Sequence, residues 1–169
     1  MKWLKDYLKS NPIVEQYTQG KDNFAHLSVM QEAMLAVGAT LKNKKKIFIV
    51  KENEQQAQEL FDQIQRISPE SRVIYYNHEE SLRVEAIVQS EIMRANRIEA
   101  LYRILENDYD ICITHAIASI RKLSSPNTLQ EAITTIKIGD HFEPIELARR
   151  LQNMGYSRVK YVDQPFTFA

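Results

Sequence analysis

Hydrophobic positions along the chain follow two alternating rhythms, one helical and one extended. Trp3, Leu4, Tyr7 and Leu8 recur on one helical face, predicting a helix over 1–10. Asn11-Pro12 then gives a stop and a new start, since proline is tolerated in a first turn. A second short helix over 13–19 ends at Gly20. Residues 23–28 read as a short strand, and Met30, Ala33, Met34 and Val37 predict a helix over 29–41. Ile47-Phe48-Ile49-Val50 is continuously apolar and rich in β-branched residues, the pattern of a strand buried on both faces of a parallel sheet.

The alternation continues. Asn53 can cap a helix running to Ile67, with Ala57, Leu60, Phe61 and Ile64 as its buried stripe and Ser68-Pro69 closing it. A strand is expected over 72–76 and one or two helices over 79–107, clearest from Ser90 through Ile98, Leu101 and Leu105. Another strand follows at 110–114 and a short helix at 115–123. Ser124-Ser125-Pro126-Asn127 is the strongest break. Beyond it come an extended segment to Ile138, an acidic helix start, an amphipathic helix and a closing strand that begins near Gln164-Pro165-Phe166. The β-α order predicts an α/β fold, a doubly wound and mostly parallel sheet with helices on both faces, followed by the start of a small α/β second domain. The expected divisions are 1–123 for the first domain, 124–131 for a linker and 132–169 for an incomplete second domain cut at its C-terminus.

Composition narrows the function classes. Among 169 residues, 22 Lys and Arg balance 22 Asp and Glu, so no overall basic field exists to drive tight nucleic-acid binding, although local basic patches are allowed. No apolar run approaches the roughly 20 residues of a membrane span, and the alternation of charged and apolar residues over 1–10 leads us to expect no secretory signal. The single cysteine, Cys112, lies within Ile111-Cys112-Ile113, where it reads as a small buried hydrophobe in a reducing, cytoplasmic protein.

The chemistry expected of a nucleotide-binding α/β domain is missing. Such a domain joins its first strand to the next helix through a glycine-rich phosphate loop. Here that place holds His26-Leu27-Ser28-Val29-Met30-Gln31, and no Gly-Lys-Ser/Thr occurs anywhere. Gly38 lies late in a helix, as a packing contact or an early helix end. His26, His78, His115 and His141 are isolated from other metal ligands. His78-Glu79-Glu80 lacks the second histidine of a metalloprotease helix, and Ser28, Ser119 and Ser124 lack a nucleophile elbow.

Lys42–Lys46 reads as a solvated loop or, alternatively, a phosphate contact. Arg83, Arg94, Arg97 and Arg103 are interleaved with glutamates, as on a charged helix surface. Arg149 and Arg150 lie on the terminal helix near Tyr156 and Arg158, a combination that suits either a solvated face or a protein-docking patch.

The terminal block carries a resemblance. Ile138-Gly139-Asp140, Glu143, Leu147-Ala148-Arg149-Arg150-Leu151 and Gly155-Tyr156-Ser157-Arg158 resemble the junction of the first and second domains in UvrB-type repair proteins. The match runs to Phe168-Ala169, where that family continues with Arg-Gly. UvrB keeps its phosphate loop, whereas the N-terminal module of the bacterial transcription-repair coupling factor family, Mfd, is similar but lacks it. Leu27-Ser28, Tyr75-Tyr76, Arg97-Ile98-x-x-Leu101 and Asp110–Thr114 fit the same pattern, while His26 and Val29 replace its turn glycines.

The resemblance implies a non-catalytic module that docks UvrA through its completed second domain and restrains a DNA translocase. ATP would bind only in the parent's motor domains, and RNA polymerase and DNA would be partners of the parent alone. No cofactor, metal or catalytic residue is expected in this segment, and Arg149, Arg150, Tyr156 and Arg158 are the candidate partner-binding residues. The alternatives are the corresponding part of another UvrB-like or helicase-related protein, and a small flavodoxin-like enzyme or ligand binder using the strand ends near Thr114-His115.

Overall fold

A computed structural model describes residues 2–20, 23–77 and 91–169. His78, Arg83 and the first part of the helix expected from 79 lie outside the described residues. The chain divides into two compact units, residues 1–78 with 103–121 and residues 79–102 with 122–169.

The first unit is built on a parallel three-stranded sheet, β1 (Ile47–Lys51), β2 (Val73–Tyr75) and β3 (Ile111–His115), in the order β1-β3-β2. Ile47, Ile49 and Lys51 lie opposite Ile111, Ile113 and His115, while Val73 and Tyr75 pair with Ile111 and Ile113. All five residues of central β3 are buried. Arg72 and Asp110 tie the strand starts together: the Asp110 N–H donates to the Arg72 carbonyl at 2.8 Å, and the Asp110 carbonyl accepts from Ile47 N–H at 3.0 Å.

Of the four helices described next, the last packs directly on this sheet, the third packs on the last, and the first two pack on the third. In α1 (Lys2–Ser10), Leu4 and Leu8 are four residues apart and both are buried. Asn11 Oδ1 caps α2 (Pro12–Gln19) by accepting from Ile13 N–H at 2.8 Å, and Gly20 closes it. Helix α3 (Val29–Asn43) buries the small residues Ala33, Ala36, Gly38 and Ala39 together with Leu35 and Val37. A Cβ at Gly38 would lie 2.8 Å from Val14 Cγ2, so glycine here lets α3 and α2 approach closely without ending the helix. Asn53 caps α4 (Glu54–Ile67), whose buried stripe is Ala57, Leu60, Ile64 and Ile67. These residues join Leu4, Leu8, Val73, Ile111 and Ile113 in one core, where each large aliphatic side chain is worth roughly 1.5–3 kcal/mol of transfer free energy.

Three expectations need correction. Residues 23–28 form no strand; His26 adopts φ 59°, incompatible with extension, and Phe24 packs edge-on against Tyr17 at 5.6 Å. Strand β1 is not buried on both faces: Phe48 and Val50, which alternate with half-buried Ile47, Ile49 and Lys51, are 58% and 49% exposed, so one face of this strand is left uncovered. Residues 132–138 are likewise not a strand: Ala132 ends a helix, the rest have no ladder partner among the described residues, and Ile136 and Ile138 face solvent.

Helix α5 (Glu91–Leu105) spans the division between units, and the short α6 (Ala116–Ser119) follows β3. In the second unit, α7 (Pro126–Ala132) begins at the Ser-Pro break, where Ser125 Oγ accepts from Thr128 N–H at 3.1 Å. Helix α8 (Pro144–Asn153) leads through Gly155, at φ 89°, into β4 (Ser157–Arg158). That strand pairs in parallel with β5 (Thr167–Phe168). No described helix is long and apolar enough to cross a membrane.

Candidate functional site

In open α/β sheets, ligands bind beyond the carboxyl ends of the strands, where helix N-termini offer unpaired amides. In the first unit this region gathers the start of α3, the end of β1, the start of α4 and the segment after β2. At α3 the chain supplies its own cap. Ser28 Oγ accepts from Gln31 N–H at 3.3 Å, and Gln31 Oε1 accepts from Ser28 N–H at 2.9 Å. This reciprocal pair satisfies two of the donors that a bound phosphate would use. One residue further, Glu32 places a carboxylate in the first turn and pairs with Lys51 Nζ at 2.7 Å. Both side chains are about four-fifths buried, so the positive end of the helix dipole already has an internal anion.

A second set of ties lies at the ends of β2 and β3. Asn77 Nδ2 donates to Glu54 Oε1, and Asn77 Oδ1 lies 3.0 Å from His115 Nε2. A carboxylate only accepts, so the Asn77 amide nitrogen must face Glu54 and its oxygen must face His115. His115 therefore carries a proton on Nε2 and donates it. Buried at the end of β3, this imidazole is held by Asn77. Cys112 is three positions earlier on the same strand and so points to the opposite sheet face. Burial pushes its thiol up to about 12, far from a reactive thiolate.

The surrounding phenols are shifted the same way. Burial, then Glu54 and Asp62, push Tyr75 up to about 12, and burial followed by Glu32 raises Tyr17. The site is thus lined by acids and neutral donors. Its cation Lys51 is paired, and no group of three His, Cys, Asp or Glu residues is arranged for a metal among the described residues.

The sequence-derived partner residues all belong to the second unit. Arg149 and Arg150 are exposed on α8, and Arg158 is exposed on β4. Tyr156 instead packs edge-on against Phe166 at 5.6 Å, and the Arg94 guanidinium stands 4.9 Å from that Phe166 ring. Arg94 was not among the candidates, and nothing local in its sequence signals this contact. The Ser28–Gln31 box, in contrast, has a visible Ser-x-x-Gln signature.

The first unit is a small α/β domain in which the start of α3 is capped by its own side chains. Its relatives give that class a context. No family model matches the chain. Over 146 residues, 86% of the chain, it is 27% identical to the transcription-repair-coupling factor of Bacillus subtilis (strain 168). Over 167 residues, 94% of the chain, it is 23% identical to the transcription-repair-coupling factor of Staphylococcus haemolyticus (strain JCSC1435). The matches span 12% and 14% of the length of these curated relatives. The chain is therefore related to a segment of transcription-repair-coupling factors.

Proposed function

We propose that this chain is a non-catalytic, UvrB-like N-terminal module of a transcription-repair-coupling factor. It acts in transcription-coupled nucleotide excision repair by docking UvrA and restraining the DNA translocase of its parent. The observation that carries this reading is similarity to two such factors across most of the chain. The self-capped start of α3 supports the non-catalytic part, since Ser28, Gln31 and Glu32 occupy the place where a nucleotide phosphate would be bound. The module holds no cofactor, and ATP belongs to the parent's motor domains. UvrA meets the completed second domain, with Arg149, Arg150 and Arg158 at the margin of the contact and Tyr156 supporting β4. RNA polymerase and DNA are partners of the parent, in the cytoplasm.

A chimera tests this directly: the present chain replaces the matching segment of the Bacillus subtilis relative. The chimera is expected to bind UvrA and to keep ATP turnover low, whereas deleting the segment raises turnover. A chimera that turns over ATP like the deletion sinks the restraint reading. One that fails to bind UvrA sinks the docking reading.

A further inference from the structure

Opposite the self-capped end of the sheet, at the strand starts, lies a cleft of about 440 Å³ into which Lys5, Lys9, Lys44 and Lys45 converge from α1 and from the turn after α3. Two acids in its wall are already matched. Glu70 pairs with Lys5, and Asp110 pairs with Arg72 Nη2 at 2.7 Å. Lys9, Lys44 and Lys45 are exposed and form no ion pair among the described residues. Lys2 adds to the same face of α1, since positions 2, 5 and 9 are neighbours at helical spacing. Zero net charge for the whole chain therefore conceals a local excess of at least three cations.

The lining selects the ligand. Leu41 is its one apolar residue and it holds no aromatic side chain, so it lacks the apolar and aromatic anchors that organise a protein interface. It equally lacks the stacking platform used to hold single-stranded bases. What it offers is ammonium groups, point charges suited to phosphate oxygens; the Thr40 and Ser71 hydroxyls beside them already donate to the Val37 carbonyl and to Ser68 Oγ. We infer that this lysine cleft is a weak, sequence-independent binding site for the phosphate backbone of duplex nucleic acid. It gives this chain a weak duplex contact of its own, beyond the DNA contacts proposed for the parent, and does not depend on the proposed UvrA contact.

The test is fluorescence anisotropy of a labelled DNA duplex of about 20 base pairs against the native chain, from low to physiological salt. Saturable binding is expected at low salt, with log K falling against log salt at a slope of about −3 for three released counterions. Lys9→Glu, Lys44→Glu and Lys45→Glu together should weaken binding by at least about tenfold and flatten that slope. The charge-matched control Lys122→Glu, Lys137→Glu and Lys160→Glu should stay within about threefold of native, because screened surface charges act locally. Amide shifts in the native chain on adding duplex should concentrate at residues 5–9 and 40–46, a readout independent of how the variants fold. Absence of saturable binding overturns the site, as does an equal loss in the control, shifts located elsewhere, or tighter binding of polyglutamate than of duplex.

Discussion

Ser28 and Gln31 cap α3 reciprocally: each side chain accepts a hydrogen bond from the other's backbone N–H, at 3.3 and 2.9 Å. An N-cap of this kind is worth about 1 kcal/mol. Ser28→Ala and Gln31→Ala are each expected to lower stability by roughly 0.5–1.5 kcal/mol, and the double variant by less than their sum, because either change breaks the shared box. Urea unfolding of the four proteins reads this coupling.

Gly38 faces Val14 across the α3–α2 contact. Replacing an exposed helical glycine with alanine normally stabilises by about 1 kcal/mol. Here the added Cβ would stand 2.8 Å from Val14 Cγ2 and 3.4 Å from Leu8 Cβ, so Gly38→Ala is expected to destabilise by about 1–3 kcal/mol through overpacking. Repeating it in a Val14→Ala background should remove most of that penalty. A thermal-melt cycle decides whether the contact or the backbone is responsible.

Acid sensitivity should concentrate at the strand starts. The Lys5 ammonium, followed by the Ser68 hydroxyl, holds Glu70 down from 4.5 to about 2, and the Arg72 guanidinium holds Asp110 below its ordinary range. A carboxylate depressed by folding contributes stability above its unfolded pKa and loses it as pH falls through the folded one. For Glu70 that window runs from 4.5 down to about 2. Its exposure to solvent keeps the contribution small. Lys5→Gln and Arg72→Gln should each flatten the loss of stability on acidification, measured as urea midpoint against pH.

Cys112 is fully buried in central β3 and its thiol is pushed up to about 12. At pH 8 only about one thiol in ten thousand is ionised at such a value. Alkylation by iodoacetamide should be negligible in the folded chain and complete within the ordinary reaction time in urea, read by mass spectrometry. Modification at the same rate in both states would place this residue outside the core.

Much of the fold was legible because its signals are local. Asn53 and Gly20 mark helix ends by hydrogen bonding and by positive φ, and both act as the sequence predicts. The errors fall where a partner decides the conformation. Residues 133–138 have β-branched character but no described neighbour to pair with, and β1 has the composition of a central strand yet sits at an edge. The Ser28–Gln31 pair is written in four consecutive residues. The meeting of Glu54, Asn77 and His115 depends instead on the β1-β3-β2 order, which no local pattern specifies.

If the start of α3 is closed to nucleotide by its own side chains, as proposed, calorimetric titration with Mg·ATP tests it most directly. At about 150 mM salt, where exposed charges are screened over about 8 Å, native chain and the Lys9→Glu, Lys44→Glu, Lys45→Glu variant should both show no saturable heat. Saturable micromolar binding retained in that variant would contradict the account, since the ligand would then occupy the strand ends that Gln31, Glu32 and Lys51 are said to fill.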